Sequence, residues 1–515
     1  ANPKAVIFTT AKLLDGNATS GGKDYTNKGE GNDAYMNFVE NLTVDVGSGN
    51  SGAIGVDYLA NNMGALRNLR VYAHEGSGLT GIALTRKWPG PLLLKNIVVE
   101  GFNTGIAVDN TEYGVTLESV LLHGQKQVAL SNNHNMISAH NLNVTDAPLA
   151  ISNQSPDGLI TLEGANLTGT GNNAISNAGS LTLRYVAVKG YKTALGKAIN
   201  GSLDGVYQAE QQTASTKTSG QLVVENPPAV IQDPPENWAS VAAYGAVADN
   251  ESDATAAIRK AFASGARTIY FPHGVYHVTD NIIVPPSVEH IVGMTSTIRA
   301  FAQKAYDRAN SFNREQGMFR LQNTRSLAIE KLAFDNSWHG DQVGVEAAGT
   351  GAVYLKDVVG AGVTTLLRPA SGGKVFIENT SAGYIRIAGK QGVWAWQLNS
   401  EGTCGIFNQG APLWVLGIKT EGDCTVLHNS DHAHTEIWGG LLYITGDKSD
   451  PAIPAFENKD SRLLLSYVEE AFSPRATYGV HLKDEQNGVT KNVAGESLPA
   501  RNAGRIVPWV AAGTQ

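Results

Sequence analysis

Glu401-Gly402-Thr403-Cys404 recurs twenty residues later as Glu421-Gly422-Asp423-Cys424, and the apolar residues ahead keep the same interval, Trp394 with Trp414 and Leu398 with Ile418. A period of roughly 20–30 residues built from short strands and turns belongs to a parallel β-solenoid, in which each rung lies about 4.8 Å over the last. Repeated residues then become stacked neighbours, so Glu401 and Glu421 are expected one above the other. Two carboxylates that close cannot both ionise freely, and one is expected to hold a proton near neutral pH and serve as a general acid. Cys404 and Cys424 stack a little further along. Rung spacing lies within the Cα separation a disulfide tolerates, yet parallel side chains often miss its torsion, so a disulfide clamp and a pair of buried reduced thiols both fit.

The elements that must position these groups announce themselves as repeats. Residues 36–190 contain one phrase seven times, from F-V-E-N-L-T-V at 38 and L-R-N-L-R-V at 66 to L-R-Y-V-A-V at 183. Its third position falls at Asn41, Asn68, Asn96, Ser119, Asn141, Gly164 and Tyr185, in steps of 27, 28, 23, 22, 23 and 21 residues. Alternating apolar residues predict half-buried strands, and an asparagine at the turn tolerates left-handed backbone angles while bonding to the asparagine of the next rung. Residues 201–237 break this pattern with polar low-complexity sequence and prolines, which predicts an extended connection. At Trp238 a new unit opens. Asp253 or a neighbour can cap a helix from about Ala254 to Ala263 that Gly265 ends, and such a helix can cover the open end of a solenoid. The expected domains are therefore 1–200, a linker at 201–237, and 238–515.

With 515 residues, 42% of them hydrophobic, the chain can bury two large cores. Its net charge of −8 has both signs interspersed, which argues against a nucleic-acid groove or an anionic membrane surface and favours a neutral polymer as partner. No apolar run is long enough to span a bilayer. The first residues carry no signal-peptide pattern, as expected of a secreted or periplasmic protein numbered after processing.

The stretch Tyr244-Gly245-Ala246, Asp249, Asp253, Thr255 to Ile258, Tyr270-Phe271-Pro272, Gly274 and Tyr276 resembles the opening unit of right-handed parallel β-helix proteins of the pectate-lyase superfamily. Together with W-A-W-Q-L-N-S-E at 394–401, L-W-V-L-G-I-K-T-E-G at 413–422 and T-E-I-W-G-G at 435–440, it is similar to glycoside hydrolase family 55, the β-1,3-glucanases or laminarinases. That resemblance implies an all-β fold of two tandem right-handed parallel β-helices packed side by side. It also implies exo-acting, inverting hydrolysis of β-1,3-glucan in the cleft between them, with no cofactor. The family's first helix opens with its own Y-G-A cap, which is missing here, so a separate N-terminal segment is expected to complete the first β-helix.

Residue by residue, the resemblance puts Glu421 in the role of catalytic acid and Glu401 in that of a second carboxylate tuning it. It puts Gln125, Gln127 and Ser152 around the nucleophilic water. Carboxyls about 5 Å apart suggest retention and a wider gap with a water between suggests inversion. We therefore read the pair as an acid and its modulator, with water arriving from the opposite wall. Sugar rings stack on aromatics, which makes Trp394, Trp396, Trp414 and Trp438 candidates for the cleft or for the core. Asn399 and Lys419, two residues before each glutamate, share its face and are expected to bind hydroxyls or set the acid's pKa. His428, Asp431, His432 and His434 lack metal-site spacing and read as a polar rim, so no metal is expected. A polysaccharide lyase on the same fold, or a non-catalytic carbohydrate-binding spike, are the alternatives.

Overall fold

The computed structural model describes residues 3–9, 34–74, 77–300, 313, 316–336, 342–362, 365–369, 372–446 and 449–513, with the side chains of 402–404 excepted. They form an all-β solenoid of about 18 turns with one α-helix.

The strands fall into two stacks. Residues 4–214 build an eight-stranded and a nine-stranded sheet, while residues 239–512 build a 23-stranded one. The repeated phrase supplies the long strands of the first stack, paired in parallel and in register, so that Leu66, Leu94, Leu117, Ala139, Leu162 and Leu183 lie in one apolar column. All seven turn positions, Asn41, Asn68, Asn96, Ser119, Asn141, Gly164 and Tyr185, have positive φ. Each bends its strand by one left-handed residue. Asn68 donates to Asn41 at 2.8 Å and Asn96 to Asn68 at 3.0 Å, so the exposed edge of the bend is a ladder of side-chain amides.

The break in the repeat at 201 marks a different event from the one expected. Gly201–Gln208 and Gln211–Ala214 form an antiparallel hairpin on Ser180–Lys189, closing the end of the nine-stranded sheet. The extended connection starts only after it, about fifteen residues later than the composition suggested, because strand pairing overrides a polar sequence where an open sheet edge has to be covered. The helix expected near the start of the second stack is present, with Ala254 and not Asp253 at its N-cap. Thr255–Phe262 is helical, Asp253 accepts from the Thr255 amide at 2.9 Å, and Gly265 adopts φ +84° beyond its end. Phe262 packs on the rings of Phe271 and Phe319, each such burial contributing roughly 1.5–3 kcal/mol.

The two stacks meet through the nine-stranded sheet of the first and the strands Val375–Ala388, Val393–Gln409, Pro412–Glu421, His434–Ile444 and Arg462–Ala471 of the second. The four tryptophans lie in this seam. Trp396 donates its indole N–H to Glu118 at 2.7 Å and Trp414 to Glu163 at 2.9 Å, both carboxylates belonging to the first stack. Arg67 reaches Asp357 and Glu378, each at 2.7 Å, and Arg184 bridges Glu163 and Glu436. Two glycines let the backbones approach. A Cβ on Gly417 (φ +73°) would stand 2.0 Å from Thr116 Oγ1, and one on Gly439 (φ +81°) 2.0 Å from Ser138 Oγ.

Arg184 is fully buried, and Glu436 is held down to about 2: burial opposes its ionisation, but His434 and Arg184 outweigh burial. Replacing Arg184 by Met should cost about 3–5 kcal/mol at pH 7, because two buried carboxylates lose their cation. Without Arg184 the pKa of Glu163, which burial already raises, climbs further and Glu436 loses one of the groups that hold it down, so lowering the pH from 7 to 5 should recover part of that loss. Chemical denaturation of the variant and the wild type at both pH values checks this; a deficit that is the same at both, or absent, contradicts it.

Candidate active site

Register decides the site. Strand Val393–Gln409 pairs with Pro412–Glu421, which pairs with His434–Ile444, which pairs with Arg462–Ala471. Asn399 therefore lies over Lys419, and Glu401, Glu421, Tyr443 and Glu470 form one column over four rungs. The first three of these strands turn through a left-handed residue at the bend (Gln397, Gly417 and Gly439), which aims the residues beyond it at the groove between the stacks.

Lys419 is buried, 1% of its side chain exposed, and its ammonium lies between the two glutamates: 3.0 Å from Glu401 and 2.5 Å from Glu421. Asn399 Nδ2 donates to Glu401 at 2.9 Å. The two half-buried carboxyls also bond to each other and divide their titration. Burial raises Glu421, Lys419 pulls it down, and the charge of Glu401 raises it again; the net is a raised pKa. Burial raises Glu401 too, but Lys419, Asn399 and the bond from Glu421 outweigh it, and its pKa is lowered. Of the two, Glu421 is therefore the carboxyl that binds a proton more readily, the ordering that a general acid and its modulator require.

The first stack faces this pair with Asn62, Glu112 and Tyr113. Asn62 lies 3.4 Å from Lys419 Nζ through its side chain and from Asn399 through its carbonyl. The Tyr113 ring centre is 5.6 Å from the same ammonium and meets Tyr443 edge to face at 5.4 Å. Tyr443 donates to Glu112 at 3.2 Å, and the Trp88 indole bonds to the same carboxylate, which burial raises nonetheless. Half-buried Trp88 and exposed Phe472 continue the aromatic surface, Phe472 lying 5.2 Å from Tyr443.

Beyond Tyr443 the groove ends. Arg501 donates to Glu470 at 2.6 Å and, across the seam, to the carbonyls of Asp157, Thr111 and His134. Burial pushes Glu470 up to about 7 against the pull of Arg501.

Other expected site residues lie elsewhere. Trp394, Trp396, Trp414 and Trp438 are at most 6% exposed, closed inside the seam, and so have no free face to offer a sugar. Alternation places Trp394 and Trp396 on one side of their strand, and that side is the seam. Gln125 is buried, donating to the carbonyls of Val99 and His123, and Gln127 is exposed on the same turn. Ser152 stacks between Ser131 and Ser176 on the eight-stranded sheet, whereas the seam is made by the nine-stranded one. The structure brings none of these three to the carboxylate pair; the first-stack groups that do face it are Asn62, Glu112 and Tyr113. His428 pairs with Glu457 and stacks on Phe407, while His434 turns towards Glu436, so these side chains diverge. Cys424 is disulfide-bonded, and the chain's other cysteine, Cys404, has its side chain outside the described set. Tyr443 and Glu470 were within reach of the sequence by extending the 20–28-residue column one and two rungs beyond Glu421. Asn62, Glu112, Tyr113 and Arg501 carry no such signal, since they come from other parts of the fold.

Residues 238–364 match the family model described as rhamnogalacturonase A/epimerase, pectate lyase-like. A glucan 1,3-beta-glucosidase of Cochliobolus carbonum is 27% identical over 177 residues, covering 33% of this chain and 20% of that protein, so the match spans about a fifth of the relative's length. Among solved structures, sacteLam55A from Streptomyces sp. SirexAA-E aligns over 93% of this chain and 91% of its own at 12% identity, with a TM-score of 0.41. ORF18 of Geobacillus virus E2 aligns over 46% of this chain and 62% of its own at 13% identity, with a TM-score of 0.27.

Lys419→Met removes the one cation between the carboxyls. Both pKa values should rise, and the pair should stay protonated to higher pH. Carbon-13 titration of labelled glutamate side chains in wild type and variant checks this; unshifted titrations would show that the ammonium does not set the pair.

Proposed function

We propose that the protein hydrolyses β-1,3-glucan, with Glu421 donating the proton to the departing glycosidic oxygen and Glu401 tuning it. The observation that carries this reading is the in-register carboxyl pair joined to one buried ammonium, in which burial and the charge of Glu401 raise the Glu421 pKa. The similarity of one third of the chain to a glucan 1,3-beta-glucosidase supports the substrate class. Paired charges around the groove favour a neutral polymer over the anionic substrate of a lyase. The carbohydrate-binding spike is the weaker alternative, since binding alone needs no carboxyl held protonated.

Glu401 and Glu421 act as one unit on one wall, bonded to each other and to Lys419, so they do not flank a sugar as an acid and a nucleophile would. Water delivered from the first stack, past Asn62, Glu112 and Tyr113, gives inversion. Arg501, tying Glu470 to three first-stack carbonyls, closes one end of the groove, which favours release of short products from chain ends. A disulfide at Cys424 accords with a secreted or periplasmic location.

Glu421→Gln keeps shape and hydrogen bonding but removes the titrating proton. Its kcat on laminarin should fall by a factor on the order of 10²–10⁴ while binding survives. Glu401→Gln removes the neighbouring negative charge, lowers the Glu421 pKa and should move the alkaline limb of the pH–rate profile to lower pH. Near-normal turnover in the first variant, or a fixed limb in the second, contradicts the assignment. Cleavage of polygalacturonate or alginate in place of laminarin would point to the lyase.

A further inference from the structure

Hydrolysis with inversion needs a second group, on the far side of the sugar from Glu421, to take a proton from the attacking water. Glu401 shares a wall with Glu421 and is tied to it, to Lys419 and to Asn399, so it does not reach that side. Among the described residues that face the pair from the first stack, Asn62 does not titrate, and Tyr113 is held protonated by burial and by the charges of Glu421, Glu112 and Glu401. Glu112 is the remaining group able to accept a proton.

Its position suits the task. Tyr443 lies one rung beyond Glu421 in the column, and its hydroxyl donates to Glu112 at 3.2 Å. Glu112 thus stands about one rung and one hydrogen bond from Glu421, on the order of 8 Å, inside the roughly 6.5–9.5 Å that leaves room for a water between an acid and a base. One carboxyl comes from the first stack and the other from the second. The turn that carries Glu112 is fixed: its amide donates to Asn110 Oδ1 at 3.3 Å, Asn135 donates to the carbonyls of Asn110 at 2.9 Å and Tyr113 at 3.1 Å, and Arg501 donates to that of Thr111. Glu112 is half-buried, whereas Glu470, one rung past Tyr443, is 2% exposed beneath Arg501 and closed to a sugar. The charged groups around Glu112 are Lys87, Arg501 and Glu470, and Tyr443 and the Trp88 indole bond to its carboxylate. Burial outweighs the pull of Tyr443, Lys87, Arg501 and Trp88 and raises its pKa, the direction that strengthens a carboxylate as a base.

We propose that Glu112 is the general base of the reaction and that Tyr443 is the residue that positions it. The water oxygen bonds to the anomeric carbon from the side opposite the departing oxygen and gives a proton to the Glu112 carboxylate. The glycosidic bond breaks as its oxygen keeps the electron pair and takes the proton of Glu421. Glu112 ends protonated and Glu421 ionised, and exchange with solvent resets both. The proposal rests on the reading of Glu421 as the acid in β-1,3-glucan hydrolysis.

Glu112→Gln keeps the shape of the side chain but cannot take the proton. Its kcat/KM on laminarin should fall by a factor on the order of 10²–10⁴, and the residual activity should lose the acidic limb of the pH–rate profile while the alkaline limb stays. Azide, a nucleophile with no proton to lose, should restore turnover and give an α-glucosyl azide. Tyr443→Phe removes a donor that stabilises the ionised carboxyl and should move the acidic limb to higher pH. Near-normal turnover of Glu112→Gln, or an acidic limb that survives in it, overturns the base and leaves the acid standing if Glu421→Gln has lost activity. Should Glu112→Gln be inactive with no azide product, Tyr443→Phe decides: a limb moved upward upholds the base, and an unmoved limb overturns it. Wild-type protein that leaves laminarin uncut overturns the parent reading and this one with it.

Discussion

In-register parallel pairing is the constraint from which everything else in this molecule descends. Hydrogen bonds between rungs fix a spacing of about 4.8 Å and oblige equivalent positions to lie over one another, whatever their chemistry. Where those positions are leucines the result is a core; where they are asparagines it is an amide ladder on the bend. Where they are Glu401 and Glu421 the backbone enforces a carboxyl–carboxyl contact that free side chains would avoid. Backbone bonding along many rungs holds the pair together, and Lys419 and Asn399, themselves fixed by the same register, determine which carboxyl keeps the proton.

The seam between the stacks obeys a second rule. Buried charge is costly unless paired, and here the pairs cross the seam: Arg67 to Asp357 and Glu378, Arg184 to Glu436, the tryptophan indoles to Glu118 and Glu163. Such pairs add little net stability over apolar packing, yet each tolerates only one alignment of the stacks. That alignment brings Asn62, Glu112 and Tyr113 opposite the carboxyls and lets Arg501 reach across the end of the groove. Gly417 and Gly439 serve the same end by leaving room for Thr116 and Ser138 on the facing sheet.

Periodicity made much of this legible in the sequence. The seven turn positions, the Glu401–Glu421 and Asn399–Lys419 alignments and the capping helix all follow from repeats or local signals, which depend only on neighbours along one solenoid. Contacts between stacks have no such signature. The tryptophans illustrate the limit, because alternation shows that Trp394 and Trp396 share a face but not whether that face meets water or another sheet. Gln125, Gln127 and Ser152 fail for the same reason: their placement depends on which sheet of the first stack turns to the second. The hairpin at 201–214 was hidden by its polar composition, since an end-capping strand is stabilised by the edge it covers.

The chemistry of the carboxyl pair depends on where one proton sits. Neutron diffraction from perdeuterated crystals at mildly acidic to neutral pH locates it directly. A single deuteron on Glu421, facing an ionised Glu401, with a fully deuterated Lys419 ammonium between them, is the predicted result. A deuteron on Glu401 with Glu421 bare, or two ionised carboxylates, would contradict it.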